Sequence, residues 1–388
     1  MWCTIHHIHH HTIHSLCYSY SVVVYRQVST MEETEILRLV NLCLPKLVTG
    51  DDKGIVPVAL TKASDLQVTT LCRLWSGMGH IYKVSWNTCK NNLHSLVIKH
   101  VVPPSSRQQS VGDRRKTDSY RVETNFYDRL AAPLMQEHGL NIPTPLFIER
   151  RANNEVVICM SHIETAAANE ISAEQWTRRV LDFLASFHAA YWGTAKVDAV
   201  VEQVGLQPIG GYWYLKTRLD EHSNMPSTGW QGRLKRAAAA IDDRLQRDAM
   251  QCLNHGDAKD ANVLVSADGK DKDVYLCDFQ YTGKGPPTKD LAYFFCTSAT
   301  TDNEEAALDF YLERLVEKLP AGVTPPSKQQ LQESLDLAYC DFWRFMLGWG
   351  VWGSGGEDRV WAVLDRLDSG KDLCSEKAYD MAVRREYG

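Results

Sequence analysis

A chain of 388 residues, 44% hydrophobic and 23% charged, is long enough for a large core and two domains or lobes, with the composition of a soluble globular protein. Its net charge of -6, from 48 acidic and 42 basic residues, gives no basic excess for nucleic acid. No run reaches the roughly 18 apolar residues of a membrane span.

The opening MWCTIHHIHHHTIHSLCYSYSVVVY lacks a basic region followed by a clean apolar stretch, so it is a poor signal peptide. Residues 1–30 are expected to be a poorly ordered leader ahead of Met31. Eleven cysteines without a CxxC read as reduced, buried thiols of a cytoplasmic protein. Residues 33–49 have helical spacing, and TGDDKG ends that helix. Three β-prone runs follow: LQVTTLCRLW (66–75), IYKVSW (81–86) and LHSLVIKHVV (93–102), the first two joined by the tight turn SGMGH (76–80). PPSSRQQSVGDRRKT (103–117) reads as a polar loop. Residues 119–139 read as one helix ended by glycine, and 142–150 and 155–160 as two further strands. SHIETAAANE (161–170) reads as a linker. Beyond it the pattern is mainly helical, at 173–192, 231–251, 302–318, 327–350 and 357–368.

The expected fold is therefore α+β. A small lobe holding a mixed β-sheet and one major helix (31–161) precedes a larger, mainly helical lobe (162–388). Two short strands interrupt the helical part. NVLVS and VYLCDF flank ADGKDK and read as a hairpin with Asp268-Gly269 in its turn. Folding it brings Asp257 and Asn262, from HGDAKDAN, beside Asp278 of CDFQ. Three oxygen-bearing side chains on one spot suit Mg²⁺, which favours carboxylate and carbonyl oxygens together with phosphate. Ser76-Gly77-Met78-Gly79 can cover phosphates with backbone N–H groups. Lys99, in the apolar run LVIKHV, would be costly if buried alone. Glu123 of the following helix is its candidate partner.

With these parts in this order, the chain resembles the aminoglycoside phosphotransferase and choline/ethanolamine kinase group, closest to its ecdysteroid kinase-like branch. The resemblance covers about residues 70–295. Its carriers are the glycine turn, Lys99, SYRVETNFY with Glu123, LASFHAAYW, HGDAKDANVLV and CDFQYTGKGPPTKDLAYF. HGDxxxxN followed by DFQ, with its aspartate 16 residues after that asparagine, is the most specific of them. The resemblance implies a protein kinase-like two-lobe fold and an ATP- and Mg²⁺-dependent transfer of phosphate to a small-molecule hydroxyl. Asp257 would be the catalytic aspartate, with Lys259 facing the transferred phosphate and Asn262 and Asp278 as magnesium ligands. Lys99 would contact the nucleotide phosphates, held by Glu123. Ser76, Gly77, Gly79 and Met160 complete the nucleotide-binding set.

Around this set, His255 and His188 read as bracing the catalytic loop, the resemblance implies that Asp290 caps or pins the segment after DFQ, and His80 lies near the phosphate turn. Gln280 stands where protein kinases carry glycine, and no long activation loop follows it. Both points favour a small-molecule acceptor over an atypical protein kinase. The intact set argues against a nucleotide-binding pseudoenzyme. The aromatics Tyr212, Trp213, Tyr214, Trp343, Phe345, Trp349 and Trp352 either wall the acceptor site, as in a cage for a quaternary ammonium, or pack the core. Asp341 beside them would suit a cationic acceptor. Choline-, aminoglycoside-, sterol- and polyol-type acceptors stay open, as does the oligomeric state.

Overall fold

The computed structural model describes residues 31–47, 59–87, 93–104, 111–167, 170–267, 272–298 and 303–388. The expected leader and the Asp268-Gly269 turn lie outside the described residues. The first part is built from α1 (Glu33–Leu47), β1 (Gln67–Arg73), β2 (Gly79–Asn87), β3 (Leu93–Val101), α2 (Val111–Arg129), α3 (Ala131–His138), β4 (Pro145–Arg150) and β5 (Val156–Ser161). The five strands form one sheet in the order β1-β2-β3-β5-β4. All its pairings are antiparallel, so the sheet is not mixed; β2 and β3 follow each other through a short connection that only an antiparallel pair can use.

Strand alternation divides the sheet's faces. Tyr82, Val84, Trp86, Leu96, Ile98, Val157 and Cys159 are buried on one face with Ile36, Leu39, Val40 and Cys43 of α1. Ile81, Val97, Lys99, Ile158 and Met160 alternate with them and belong to the other face, which α2 covers. The sheet thus carries a helix on each side.

Two readings of the connection after β3 are corrected. The expected polar loop gives way at residue 111 to α2, whose first turns are too charged to show an apolar stripe. The expected single helix over 119–139 is two, broken at Leu130. Pro133 explains the break, because it has no N–H to continue the ladder onto Arg129. Gly139 ends α3 at φ +63°, as a left-handed C-terminal glycine does.

The second part contains α4 (Ala173–Ala190), α5 (Thr194–Val204), α6 (Leu219–Asn224), α7 (Gly229–Gln246), β6 (Cys252–Asn254), β7 (Val263–Val265), β8 (Val274–Leu276), β9 (Gly283–Gly285), α8 (Thr288–Thr297), α9 (Glu304–Lys318), α10 (Lys328–Trp349), α11 (Glu357–Asp368) and α12 (Glu376–Tyr387). Ser172 and Gln175 form a capping box at the start of α4, which fixes where that helix begins. The expected hairpin is β7–β8, with Val263 opposite Leu276 and Val265 opposite Val274. The expected linker is tied to it: Ala166 N donates to Val265 O at 2.9 Å, and Ala267 N to Glu164 O at 2.7 Å.

A second small pair, β6 with β9, has no sequence signature, since each strand is three residues long. The main core runs without a break from the α2 face of the sheet into the helical part. At the crossing, the rings of Phe126 (α2) and Phe279 stack with centroids 3.8 Å apart. No described helix is long and apolar enough to cross a membrane.

Candidate functional site

The loop His255–Asn262 hangs from β6, and its first turn is held from below. Asp290 of α8 accepts hydrogen bonds from the amides of His255 (2.6 Å) and Gly256 (2.9 Å). Its carboxylate also lies 3.1 Å from His188 Nε2, and His188 Nδ1 lies 2.8 Å from the Tyr311 hydroxyl. Burial works against the Asp290 charge, but the bonds from His188 and the Gly256 amide outweigh it and hold the carboxyl below its ordinary range. Gly256 has φ +81°, and a Cβ there would meet Tyr281 O at 2.1 Å. Only glycine fits. Burial lowers the His255 pKa and keeps its ring neutral. The ring reaches Cys277 O at 3.1 Å and the Asp257 amide at 3.3 Å. It ties the loop to the strand before Asp278, which matches its expected bracing role.

Asp257 is buried, with four bonds to its carboxylate. Lys259 Nζ donates to both oxygens at 3.1 Å, Asn262 Nδ2 to Oδ2 at 3.0 Å, and the Tyr293 hydroxyl to Oδ1 at 2.8 Å. Burial opposes the Lys259 charge, but Asp257 beside it raises the pKa, so the ammonium persists. Asn262 also donates to Asp257 O at 2.8 Å and accepts from the Cys277 amide at 3.0 Å through its own carbonyl. The hairpin therefore does what the sequence implied: it sets the asparagine against the segment that carries Asp278.

Asp278 has φ +66°, a left-handed conformation that aspartate tolerates better than most side chains and that often marks a functional turn. It accepts from Lys99 Nζ at 3.3 Å. Lys99 Nζ also lies 2.8 and 2.7 Å from the two oxygens of Glu123. Lys99 and Glu123 are almost fully buried. Burial disfavours the Lys99 charge, but Asp278 and Glu123 raise its pKa and keep it an ammonium. Burial likewise disfavours the Asp278 charge, and Lys99, Lys116 and Lys259 hold its carboxyl below the ordinary range. The sheet lysine, the helix glutamate and the hairpin aspartate are thus one cluster, joined across 179 residues of sequence.

The glycine turn sits at the Lys99 end of the same sheet. Trp75–Gly77 form a short 3₁₀ turn. It is pinned by Leu74 N to Gly79 O (2.9 Å) and Val102 N to Met78 O (2.8 Å). Gly79 has φ +126°, and a Cβ would meet His100 O at 2.0 Å, so glycine is required there too. Gly79 stands opposite Val101, two residues from Lys99. Met160 pairs with Val97 on the neighbouring strand and is buried on the Lys99 face. His80 alternates to the far face, where its ring stacks on Tyr82 at 5.8 Å, away from the phosphate turn.

The aromatic segment divides by exposure. Trp213, Trp343 and Phe345 are buried, while Trp349 and Trp352 are about half exposed. The guanidinium of Arg218 lies 5.4–5.5 Å over the rings of Tyr212, Phe345 and Trp349, so the chain fills this box with its own cation. Asp341 is buried and paired with Arg344 and, at 3.2 Å, with Lys289.

The contacts of four residues were not expected from the sequence. Gln280 accepts from Lys116 Nζ (2.7 Å) and Ser119 Oγ (3.0 Å) of α2, and its Nε2 bonds to Asp278 Oδ1. Lys116 and Ser119 therefore tie α2 to the DFQ segment. Tyr293 bonds Asp257. A signal for it existed: Asp290 and Tyr293 are three residues apart, which places them on one face of a helix.

The donors fit a nucleotide-bound magnesium. Among the described residues no three His, Cys, Asp or Glu gather to hold an ion unaided, but Mg²⁺ accompanying phosphates needs only one or two carboxylates. Asp278 supplies one. Asn262 spends its Nδ2 on Asp257, which leaves the amide oxygen as its ligand atom.

Residues 229–321 match the ecdysteroid kinase-like family, which bears out the resemblance over the stretch that holds HGDAKDAN and CDFQ. A search of curated proteins found no match. Among solved structures, a microcompartment-associated aminopropanol kinase is 13% identical, covering 82% of this chain and 92% of its own at a TM-score of 0.47. A Plasmodium vivax ethanolamine kinase is 12% identical, covering 83% and 81% at 0.45. A choline kinase from Streptococcus pneumoniae is 14% identical, covering 89% and 97% at 0.43.

Proposed function

We propose that this protein is an ATP- and Mg²⁺-dependent phosphotransferase that moves the γ-phosphate to a hydroxyl of a small molecule. The observation that carries the reading is the joint placement of Lys99, Glu123 and Asp278 in one ion-paired cluster, with Asp257, Lys259 and Asn262 on the adjoining loop. Phosphoryl transfer asks a protein mainly for positioning and neutralisation of charge. Lys99, oriented by Glu123, grips the nucleotide phosphates. The backbone amides of the Ser76–Gly79 turn cover them, and Met160 lines the nucleotide's side of the sheet. Asn262 and Asp278 would hold the magnesium, which neutralises phosphate charge when bound. Asp257 orients the acceptor hydroxyl and takes its proton, and Lys259 turns from Asp257 toward the transferred phosphate. The roles of these residues are part of the proposal, as is the division into a nucleotide lobe (31–161) and an acceptor lobe (162–388).

The acceptor reading favours a neutral hydroxylated molecule over a quaternary ammonium. Arg218 occupies the aromatic box, and Asp341 is neutralised internally. Beyond the buried rings of Tyr293 and Phe345, partly exposed Tyr212 and half-exposed Trp349 offer apolar surface, suited to the body of such an acceptor. A protein acceptor fits less well, because α8 begins eight residues after Gln280 and leaves no long segment to hold a peptide. The test is incubation with Mg·ATP and a library containing choline, aminoglycosides, polyols and hydroxylated steroids, read by mass spectrometry as the gain of one phosphoryl group. Product should form with a neutral alcohol and fall by roughly 10²-fold or more in Asp257→Ala and Asp278→Ala. Turnover unchanged by either variant would sink the reading. Full biological activity of Asp257→Ala would favour a binding scaffold.

A further inference from the structure

Tyr293 is fully buried. Its ring stacks on Trp213 at 4.6 Å and 21°, and Phe342 meets it edge-on at 5.1 Å. A ring clamped in this way makes its hydroxyl a fixed donor. Burial, reinforced by the Asp257 charge, raises the Tyr293 pKa well above its ordinary value, so the phenol keeps its proton. That proton points at Asp257 Oδ1, 2.8 Å away, and the Tyr212 hydroxyl lies 3.3 Å beyond.

The three donors on Asp257, which make four bonds, differ in kind. Lys259 reaches both oxygens from a flexible, 30% exposed side chain. Tyr293 and Asn262 each hold one oxygen from packed positions. A carboxylate oxygen accepts about two hydrogen bonds, so all four places are taken while Lys259 stays. Once Lys259 turns to the phosphate, Tyr293 on Oδ1 and Asn262 on Oδ2 still fix the plane of the carboxylate, with one place left on each oxygen.

We infer that Tyr293 is a positioning residue for phosphoryl transfer, resting on the function proposed above: it locks the Asp257 carboxylate in the orientation that receives the acceptor hydroxyl. In the step it serves, the acceptor oxygen bonds to the γ-phosphorus and the bond from that phosphorus to the ADP oxygen breaks. The acceptor's proton passes to Asp257. Tyr293 keeps its own proton throughout.

Tyr293→Phe retains the ring stack and removes only the hydroxyl. We expect kcat for acceptor phosphorylation to fall about 10-fold, the kinetic equivalent of about 1.4 kcal/mol, with KM for ATP unchanged. Calorimetric ATP affinity of Tyr293→Phe should match wild type, which a general loosening of the site would not allow, while the thermal midpoint falls only slightly, by the loss of one buried hydrogen bond. An unchanged kcat overturns the inference. So does a loss of kcat that is matched by lost ATP affinity. Transfer by wild type that vanishes in Asp257→Ala but persists in full in Tyr293→Phe removes the inference alone. Absence of transfer by wild type removes the phosphotransferase reading, and the inference with it.

Discussion

At Glu123 two forces oppose each other. Burial pushes the carboxyl up, to about 7 from an ordinary 4.5, although the Lys99 ammonium beside it pulls the other way. A group whose folded pKa is raised favours the fold in its protonated form. That contribution is complete below about 4.5 and is lost as pH rises through about 7. Catalysis has the opposite requirement, because Lys99 is oriented by a charged partner. Below about 7 Glu123 takes up a proton and Lys99 keeps only Asp278 as a counter-charge, at 3.3 Å. kcat/KM for ATP should therefore rise with pH through about 7. In Glu123→Gln the profile should be flat there and lower by about 10-fold or more. A Glu123→Gln profile that keeps the wild-type rise would refute this assignment. Lys99 and Glu123 were legible in the sequence because a lysine inside LVIKHV demands a partner. Gln280 and Arg218 were not, because their meaning comes from α2 and from Phe345 and Trp349, which no local pattern connects to them. Asp341 is neutralised partly by Arg344, three residues on along its own helix, and partly by Lys289, which lies on a different helix and could not be read locally.

Among the elements, the hairpin β7–β8 was readable from β-prone runs around a turn, and most of the long helices with apolar stripes were readable from their period. Helices α5, α6 and α12 were not read, and neither were the elements that position the loop. β6 and β9 are three residues each, and α8 is buried on nearly every side, so it shows neither alternation nor stripe. Yet α8 is where Asp290 accepts two buried amides and meets His188. Asp290→Ala would leave both amides and the histidine without that acceptor. Removing one partner of such a buried polar cluster costs about 3–5 kcal/mol. Urea unfolding of Asp290→Ala should show a loss of that size, with acceptor phosphorylation falling in the protein that remains folded. A variant within about 0.5 kcal/mol of wild type, the range of an ordinary surface substitution, would mean that β6 and β9 suffice to hold the loop.

For the whole molecule, composition and the order of strands and helices gave the two-part α+β layout, but not how tightly the parts are joined. The main core is continuous from the sheet into the helices, through Phe126 on Phe279. Polar contacts cross the same boundary: Lys99 to Asp278, Lys116 to Gln280, and Asn125 Nδ2 to Gly205 O at 3.1 Å. A nucleotide held by Lys99 on one side and through Asp278 on the other would bridge the two parts. It would bind only the state in which they are together. Linkage then requires Mg·ATP to stabilise the fold, by about 2.7 kcal/mol at 100 times its Kd, or roughly 3 °C in thermal midpoint. The shift should need both magnesium and ATP in wild type. Lys99→Met and Asp278→Asn should each lose most of it at the same concentrations, because each removes one anchor of the bridge. If Lys99→Met kept the full shift, the nucleotide would have to be held within one part alone, and the contact between Lys99 and Asp278 would be a structural tie with no part in binding.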